Sequence, residues 1–461
     1  MNINLTIIRV KSIEQKIKVK LSFFELLCYY IFVRKEVIFM KFAIHTFGCK
    51  VNIYESEYII NKMQEYGYTL VDFNEQADIY IINTCTVTNE ADKKDRKLIR
   101  TTRNNHKTSI LIVMGCYSQL NSQEIDADII IGNKHKSKII ELIEQYQKSQ
   151  EKITLIEDIS ETNFEDMYIN RFVEHTRAFV KIQDGCNAFC SYCTIPYARG
   201  GLRSKDFNTV IKEVTELVNN GYKEIVLTGI HTGRYGLEKN TNLEKLLKEL
   251  VEIPNIFRIR LSSIEINEIT DSIIDLIKNN KIMAKHLHIP LQSGSDEVLK
   301  SMNRLYDVDF FVKRINYIRE QIPDISITTD LIVGFPGETE GLFQETIDTL
   351  NKIKFTKIHT FPYSKRNGTK AATMPNQIDG TIKKCRVRKI LLLSDKYETE
   401  FYSNSIDKEY DGIVENRKDN KKIVITSNYI PVEIEGNVEN NTKVNVQITK
   451  VNDKNIIGEI I

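Results

Sequence analysis

Short apolar segments alternate with charged segments of helical length through most of the chain, from residue 41 to about residue 380. This alternation is typical of βα units, in which parallel strands are joined by helices that cover the sheet. Ligands of such sheets bind beyond the carboxyl ends of the strands. The sequence therefore predicts an α/β protein whose functional residues follow its strands.

Residues 40–150 are predicted to form the first domain, a parallel βα sheet. Three apolar segments with strand character end near Phe47, Cys85 and Cys116, and Cys49 follows the first of them. Because parallel strands end at the same edge of a sheet, we expect the three cysteines to converge on one point.

Residues 173–399 are predicted to form the second domain. It contains six βα units and then a helix over residues 381–399. Six units are too few for a closed eight-stranded barrel, so they predict an open, partial (β/α)6 barrel with its site at the carboxyl ends of the strands. Residues 151–172 are acidic and irregular, and they are interpreted as a linker.

Residues 400–461 change in character to short alternating strands separated by Asn and Gly, which predicts a small β-barrel. Residues 1–39 are predicted to be an extension upstream of Met40 that is either outside the native protein or docked on the surface as one more helix. The apolar run 21–33 within it is too short to span a membrane.

The chain has 461 residues, a net charge of +2 and eight cysteines. No signature of export accompanies these cysteines, so their grouping indicates metal binding in a reducing compartment rather than disulfides. We therefore expect a cytoplasmic location and no membrane partner. Cys28 and Cys385 receive no role in this interpretation.

The segment CNAFCSYC contains a C-x3-C-x2-C motif formed by Cys186, Cys190 and Cys193. Three thiolates at this spacing can each bind one iron of a [4Fe–4S] cluster, which leaves the fourth iron open to a small molecule. A structural zinc site is the alternative, but it normally needs four ligands.

This motif, at the first strand of a βα series, resembles the radical S-adenosylmethionine (radical SAM) superfamily. The resemblance implies that an electron from the cluster cleaves S-adenosylmethionine to a 5′-deoxyadenosyl radical. It also implies cofactor contacts after successive strands, although ordinary turn chemistry is the alternative for each residue. The residues expected to contact the cofactor are Tyr192, Thr228, Gly229, Ser263, Glu265, Gln292 and Gly334.

Cys49, Cys85 and Cys116 could be unrelated buried thiols. However, a domain with three strand-end cysteines, followed by the C-x3-C-x2-C barrel and a terminal β-barrel, resembles the methylthiotransferase family over residues 41–461. The resemblance implies a second [4Fe–4S] cluster on these three cysteines, which holds the sulfur to be transferred. It also implies two uses of S-adenosylmethionine, one as methyl donor and one as radical source.

The segments TFGCKVNIYESE and QDGCNAFCSYCTIPYARGGLRS look most similar to the family branch that modifies threonylcarbamoyladenosine in tRNA. The implied reaction adds a methylthio group to C2 of that base at position 37, next to the anticodon. Branches acting on isopentenyladenosine in tRNA or on a ribosomal-protein aspartate are the alternatives. Thr194 departs from the aliphatic residue expected there, with a small expected effect.

The implied partners are a tRNA anticodon loop and an electron donor such as flavodoxin or ferredoxin, and we expect a monomer. Basic stretches at 91–108 and 361–390 can neutralise phosphates, although a solvated helix face explains the first equally well. The terminal barrel resembles the TRAM module of RNA-binding proteins, yet residues 401–461 are slightly acidic.

Two interpretations are open for each of several side chains. Arg199 and Arg203 either reach the substrate or form surface salt bridges. Tyr402, Tyr410 and Tyr429 either stack on bases or pack in a core. An electron-transfer protein and an RNA-binding scaffold whose clusters only support folding are the competing classes of function.

Overall fold

The computed structural model describes residues 40–160, 163–173, 176–416, 421–452 and 454–461. The predicted N-terminal extension, residues 1–39 with Cys28, lies outside the described residues. Within the described residues, no helix combines the length and the apolar character that crossing a bilayer requires.

The first unit is a six-stranded, all-parallel sheet with the strand order β2-β1-β3-β4-β5-β6. The strands are β1 (Lys41–Thr46), β2 (Thr69–Leu70), β3 (Ile79–Thr84), β4 (Ile110–Gly115), β5 (Ile129–Ile131) and β6 (Ile153–Leu155). The helices are α1 (Lys50–Glu65), α2 (Asn89–Asn105), α3 (Cys116–Asn121) and α4 (Ile139–Ser149).

The central strands of this sheet are apolar on both faces because helices cover both sides. Every residue of β3 is buried. Ile79 and Ile81 belong to the core on one face, whereas Tyr80 and Ile82 belong to the core on the other. Successive side chains of a strand point to opposite faces, so a continuous apolar run fits a strand covered on both sides.

The second unit contains two three-stranded parallel sheets, ordered β7-β10-β11 and β12-β13-β14. Bridges at Ile259–Met283 and Ser263–His288 connect the sheets, so six strands follow one another in space as in sequence. The predicted partial barrel is thereby confirmed. Its strands are β7 (Ala178–Lys181), β10 (Glu224–Thr228), β11 (Arg258–Leu261), β12 (His286–His288), β13 (Ser326–Val333) and β14 (Lys357–Pro362), and the short β8 (Gln183–Asp184) and β9 (Arg203–Ser204) pair beside it.

The helices of this unit cover the outside of the strands. Several of them begin after an Asp, Asn or Thr whose side chain accepts a hydrogen bond from the first turn, as at Asp206, Asn242 and Thr339. The helices are α5 (Ile195–Arg199), α6 (Phe207–Asn219), α7 (Leu243–Leu250), α8 (Asp271–Asn279), α9 (Asp296–Ser301), α10 (Val308–Gln321), α11 (Glu340–Ile353), α12 (Lys370–Thr373) and α13 (Gly380–Ser403).

The predicted linker at 151–172 is more structured than its acidic composition indicated. It supplies β6 to the edge of the first sheet, and its Met167 and Ile169 are buried in the core of the second unit. A few apolar residues among the acidic ones are enough to anchor this segment at both ends. The domain limits inferred from the sequence stay predictions.

The last unit is the predicted small barrel, which is closed and has the strand order β15-β16-β17-β19-β18. Tyr402 and Tyr410 are buried in its core, so neither is available to stack on a base. Tyr429 instead lies over the guanidinium of Arg260 from the second unit. The strands are β15 (Glu409–Asn416), β16 (Lys422–Thr426), β17 (Pro431–Ile434), β18 (Lys443–Asn452) and β19 (Asn455–Ile460).

A buried ion cluster attaches this barrel to β10 and β11. Glu224 accepts hydrogen bonds from Arg258 and Arg260, and all three side chains are almost fully buried. Both arginines then reach the terminal barrel, where Arg258 donates to the Ile425 carbonyl and Arg260 to the Ser427 carbonyl. The carboxylate thus compensates two cations that hold the units together.

Glu224→Gln should therefore destabilise the protein strongly, because it leaves the buried Arg260 without its carboxylate and Arg258 with only the half-exposed Asp411. Removal of one partner of a buried ion pair typically costs about 3–5 kcal/mol. The measurement is urea-induced unfolding of the purified chain. Glu244→Gln is the control, since Glu244 pairs with Lys248 at the surface of α7 and such pairs contribute about 0.3–0.5 kcal/mol. Equal midpoints for the two variants would contradict this role of Glu224.

Candidate functional site

The first cysteine trio lies at the carboxyl edge of the first sheet. Cys49 immediately precedes α1, Cys85 follows β3, and Cys116 is the first residue of α3. The strands β1, β3 and β4 that carry them are direct neighbours. A Cβ added to Gly48 would lie 2.9 Å from Cβ of Cys85, which shows how closely these two loops approach.

This trio is packed without room for larger residues. Gly48 and Gly115 both have positive φ angles, +101° and +108°. A Cβ at Gly115 would lie 2.6 Å from the Thr84 carbonyl oxygen, so the loops that carry Cys85 and Cys116 also touch. Burial raises the pKa of Cys85 to about 12, because the thiolate loses its solvation. A cation is therefore needed to hold this sulfur as thiolate.

Two polar side chains donate hydrogen bonds to the sulfur of Cys116. Nε of Arg199 lies 3.2 Å from it and Nδ2 of Asn133 lies 3.4 Å from it. Asn133 also donates to the Ala198 carbonyl at 2.8 Å, which connects the first sheet to α5. Arg199 comes from α5, so a residue of the second unit contacts a cysteine of the first.

Arg199 is fully buried at the centre of a charged network between the two units. It donates to Glu55 at 2.9 Å and to Asp184 at 3.1 Å. Lys136 and Lys181 also pair with Glu55. These four neighbours and Arg199 come from α1, the segment before α4, β7, β8 and α5.

Arg203 completes this network through an ion pair with Asp184 at 3.1 Å. The interpretation of Arg199 and Arg203 as surface salt-bridge formers is therefore wrong, because both are buried. Within the described residues, the network holds four cations (Arg199, Lys136, Lys181 and Arg203) against two carboxylates (Glu55 and Asp184).

The second trio occupies the loop between β8 and α5. Sγ of Cys186 lies 3.3 Å from Nδ1 of His231, and Nη1 of Arg304 donates to Sγ of Cys190 at 3.3 Å. Burial alone would lower the pKa of His231, but its contacts with Cys186 and Glu268 raise it to about 9. His231 and Arg304 were not singled out from the sequence. Only the position of His231 in the sequence, close after Gly229, could have indicated this histidine.

A cavity of about 180 Å³ lies between the loop that follows Cys85 and the loop that carries the second trio, and Cys193 itself lines it. Val87 and Thr88, just after Cys85, form one side, and Tyr192 and Cys193 form the other. Next to Cys193, the Thr194 hydroxyl donates to the Thr86 carbonyl at 3.3 Å. Thr194, for which the sequence predicted little effect, thus directly connects the two cysteine loops.

Three of the residues predicted to contact the cofactor lie beside the second trio. Tyr192 and Gln292 line the 180 Å³ cavity, and Gln292 has a positive φ of 64°. Glu265 lies in a smaller cavity with Cys190 and forms an ion pair with Arg304.

The other predicted contacts are placed differently. Thr228 is buried at the end of β10, and Gly229 packs against Gln183. Ser263 is exposed beside β12. Gly334 packs against Lys383 of α13, where an added Cβ would lie 2.2 Å from Cγ of that lysine.

In the described part of the chain, no group of three or more His, Cys, Asp or Glu side chains is placed to hold a single metal ion. A cubane cluster does not require that arrangement, because each cysteine binds a different iron. The donor set in each trio is three thiols beside buried or half-buried cations, which suits an anionic iron–sulfur cluster.

The partial barrel and the C-x3-C-x2-C loop at its first strand define a protein of the radical SAM class. The model of the Radical SAM superfamily matches residues 180–350, and that of Uncharacterized protein family UPF0004 matches residues 41–133. A solved radical S-adenosylmethionine methyltransferase, TsrM from Kitasatospora setae, shares the fold with a TM-score of 0.52 at 14% identity, over 72% of this chain and 77% of that one.

Curated relatives are more similar in sequence. The threonylcarbamoyladenosine tRNA methylthiotransferase MtaB of Bacillus subtilis is 44% identical over 86% of this chain and 90% of its own length, and the Aquifex aeolicus MtaB is 40% identical over 86% and 97%. A tRNA-2-methylthio-N(6)-dimethylallyladenosine synthase of Thermoanaerobacter pseudethanolicus is 33% identical over 91% and 88%. This chain belongs to the methylthiotransferase family, in its MtaB branch.

The tight packing at Gly48 gives a test of the first trio's geometry. Gly48→Ala should lower the melting temperature of the metal-free, reduced protein more than Gly221→Ala does. Both glycines have similar positive φ angles, but Gly221 faces open space. Each substitution costs about 1–2 kcal/mol of backbone strain, and Gly48→Ala adds a clash with Cys85 that costs about 1–3 kcal/mol.

The measurement is thermal unfolding followed by circular dichroism. Equal melting temperatures for Gly48→Ala and Gly221→Ala would show that Cys85 does not pack against Gly48 as described here.

Proposed function

We propose that this protein adds a methylthio group to C2 of N6-threonylcarbamoyladenosine at position 37 of tRNA. Relatives named threonylcarbamoyladenosine tRNA methylthiotransferase are 40–44% identical over most of the chain. The observation that carries the proposal is the cavity between the loop that follows Cys85 and the loop of the second trio, which Cys193 lines. A carbon radical formed on a base in this cavity would lie beside Cys193 and beside Val87 and Thr88, which follow Cys85 in the chain.

Membership of the radical SAM class implies S-adenosylmethionine and one [4Fe–4S] cluster, for which Cys186, Cys190 and Cys193 are the ligands we propose. We assign a second cluster to Cys49, Cys85 and Cys116. When bound, the first cluster supplies the electron that makes the 5′-deoxyadenosyl radical, and the second holds the sulfur to be transferred.

The charge of the buried network supports the second cluster. Its four cations exceed its two carboxylates, and a buried charge without a counterion is costly. Arg199 points its Nε at Cys116, so the excess positive charge faces the trio. Three thiolates and their cluster would supply the missing negative charge at this place.

The walls of this cavity can shield a bound base from water in part, since two of the wall residues, Val87 and Phe361, are themselves exposed to solvent. Val87, Ile195, Ile332 and Phe361 make the cavity largely apolar. A reactive carbon radical survives longer where water and other reactants cannot reach it. The Thr194–Thr86 hydrogen bond joins the loop around Cys85 to the loop of the second trio, so we expect a base bound in this cavity to lie near both loops.

For S-adenosylmethionine we propose contacts with Tyr192, Gln292 and Glu265, which lie beside the second trio. Thr228, Gly229, Ser263 and Gly334 remain proposed contacts on the resemblance alone. Gln183 covers Gly229 and Lys383 covers Gly334, so each of these side chains would have to move before the cofactor could contact the glycine.

We propose the tRNA anticodon loop as the macromolecular partner. Helix α2, which also carries Arg96, has four exposed cations: Lys93, Lys94, Lys97 and Arg100. Exposed cations of this kind neutralise RNA phosphates. The terminal barrel as an RNA-binding module, a flavodoxin or ferredoxin as electron donor, a monomeric state and a cytoplasmic location complete the proposal.

The substrate can be tested by mass spectrometry of tRNA nucleosides from a strain that lacks the gene. We expect loss of the methylthio-threonylcarbamoyl nucleoside and its return on complementation with this chain. Loss of only the methylthio-isopentenyl nucleoside would reject our assignment in favour of the activity named for the 33% identical relative, the tRNA-2-methylthio-N(6)-dimethylallyladenosine synthase.

The two clusters can be tested by iron analysis of Cys116→Ala after anaerobic reconstitution. We expect about eight irons per chain in the wild type and about four to five in the variant, because a cubane with two ligands is lost readily. Methylthiolation should disappear, while reductive cleavage of S-adenosylmethionine persists.

Cys385→Ala is the matched control, because Cys385 is exposed on α13 away from both trios. It should keep the iron content and the activity of the wild type. Full methylthiolation by Cys116→Ala would rule out the sulfur-donating role of the first trio.

A further inference from the structure

A second and larger cavity, of about 570 Å³, lies beside the first. We call it the α2–α3 cavity, since those helices form one of its sides and the loop 365–368 forms the other. The residues used in the argument below are Arg96, Tyr117, Thr194, Tyr197, Lys365 and Arg366.

The α2–α3 cavity adjoins the proposed site at three places. Thr194 lines both cavities. Tyr117 follows Cys116 directly in the sequence, and Arg366 donates to the Thr86 hydroxyl at 2.5 Å, next to Cys85. A base held between the cysteine trios could therefore extend a substituent past Thr194 into this second space.

The charges that line the cavity are unequal in number. Three cations (Arg96, Lys365 and Arg366) face two carboxylates (Asp92 and Glu124). Asp92 is paired with Arg366 at 2.7 Å, and Glu124 accepts a hydrogen bond from the Tyr117 hydroxyl at 2.7 Å.

Arg96 and Lys365 differ from Arg366, which has a carboxylate partner in Asp92. Arg96 makes one long hydrogen bond, 3.4 Å, to the Tyr117 hydroxyl and lies 5.8 Å from the centre of that ring. Across the described ranges, no ion pair within 4.0 Å is formed by Arg96 or by Lys365. The cavity thus offers two cations to an anion, and Tyr117 and Tyr197 provide flat walls beside them.

We propose that the α2–α3 cavity binds the carboxylate of the threonylcarbamoyl substituent, with Arg96 and Lys365 as its partners. This rests on the function proposed above. The substituent is attached to N6 on the ring carbon C6, which N1 separates from C2, so it extends into a space other than the one where C2 meets the cysteines. An isopentenyl group would pair with neither cation and would take water from the half-buried Arg96, which selects against it, whereas Lys365 is exposed and would stay solvated.

The test is equilibrium binding and turnover by the reconstituted holoenzyme with two synthetic anticodon stem-loops. One carries N6-threonylcarbamoyladenosine, and the other carries its carboxamide, which has the same shape without the charge. The wild type should favour the acid over the carboxamide by about 10- to 100-fold in both Kd and kcat/KM, as expected for charge-assisted hydrogen bonds.

Arg96→Gln should reduce this preference by a factor of about five or more, because it weakens only the binding of the acid stem-loop. Lys365→Gln should act in the same direction. Arg100→Gln is the matched control, because Arg100 lies one turn further along α2 and does not line the α2–α3 cavity. Arg100→Gln can change the overall affinity for RNA. The ratio of Kd, and of kcat/KM, between the acid and the carboxamide stem-loop should nevertheless equal that of the wild type.

The other outcomes separate the possible errors. If Arg96→Gln weakens both stem-loops equally and flattens the salt dependence, the cavity binds an RNA phosphate and the proposal is overturned. An unchanged ratio in both variants overturns it as well. If the wild type binds the acid preferentially but makes no methylthio product, the carboxylate site stands and the proposed reaction fails.

Discussion

The ion network around Arg199 is the interaction on which the arrangement of the molecule depends. Although burial alone would raise the pKa of Glu55, Arg199, Lys136 and Lys181 lower it far below its usual range. The carboxylate is therefore charged at any physiological pH. Because Glu55 lies on α1 and Arg199 on α5, their attraction fixes the first sheet against the partial barrel with no solvent between them.

A network of this kind also determines the distance between the cysteine trios. Arg199 lies six residues after Cys193 and contacts Cys116, so one short helix, α5, spans the space between the two sites. A radical reaction that joins a base carbon to a sulfur atom needs both partners in place before the radical forms. A buried charged contact holds the two sites in place more rigidly than a flexible linker between two domains would.

The sequence predicted the parts of this architecture that depend on local pattern. The six barrel strands, the closed terminal barrel and the fold class followed from apolar periodicity and turn residues. The cysteine loops followed from their spacing and from the positions of strand ends. The start of α1 at Lys50 was not inferred from the sequence; in the structure this helix begins directly after its N-cap residue Cys49.

The network itself could not be predicted. Glu55 and Arg199 are 144 residues apart in sequence, and each taken alone resembles an ordinary surface charge. Only the folded chain shows that they are buried together. The same reason explains why His231 and Arg304 were missed, since His231 follows β10, Arg304 follows α9, and no local motif marks either residue.

The partial barrel explains why the first sheet is more than an added module. An open barrel has two edge strands, here β7 and β14, and unpaired edges expose backbone groups that other chains can pair with. Helix α1 of the first unit packs beside β7, where Tyr54 enters the barrel core and donates to Glu213 at 2.7 Å. At the other edge, Ser394 of α13 accepts a hydrogen bond from the backbone of Ile358 in β14. The element that covers one edge thus also carries Glu55, so closing the barrel and positioning the first cysteine trio are achieved by the same helix.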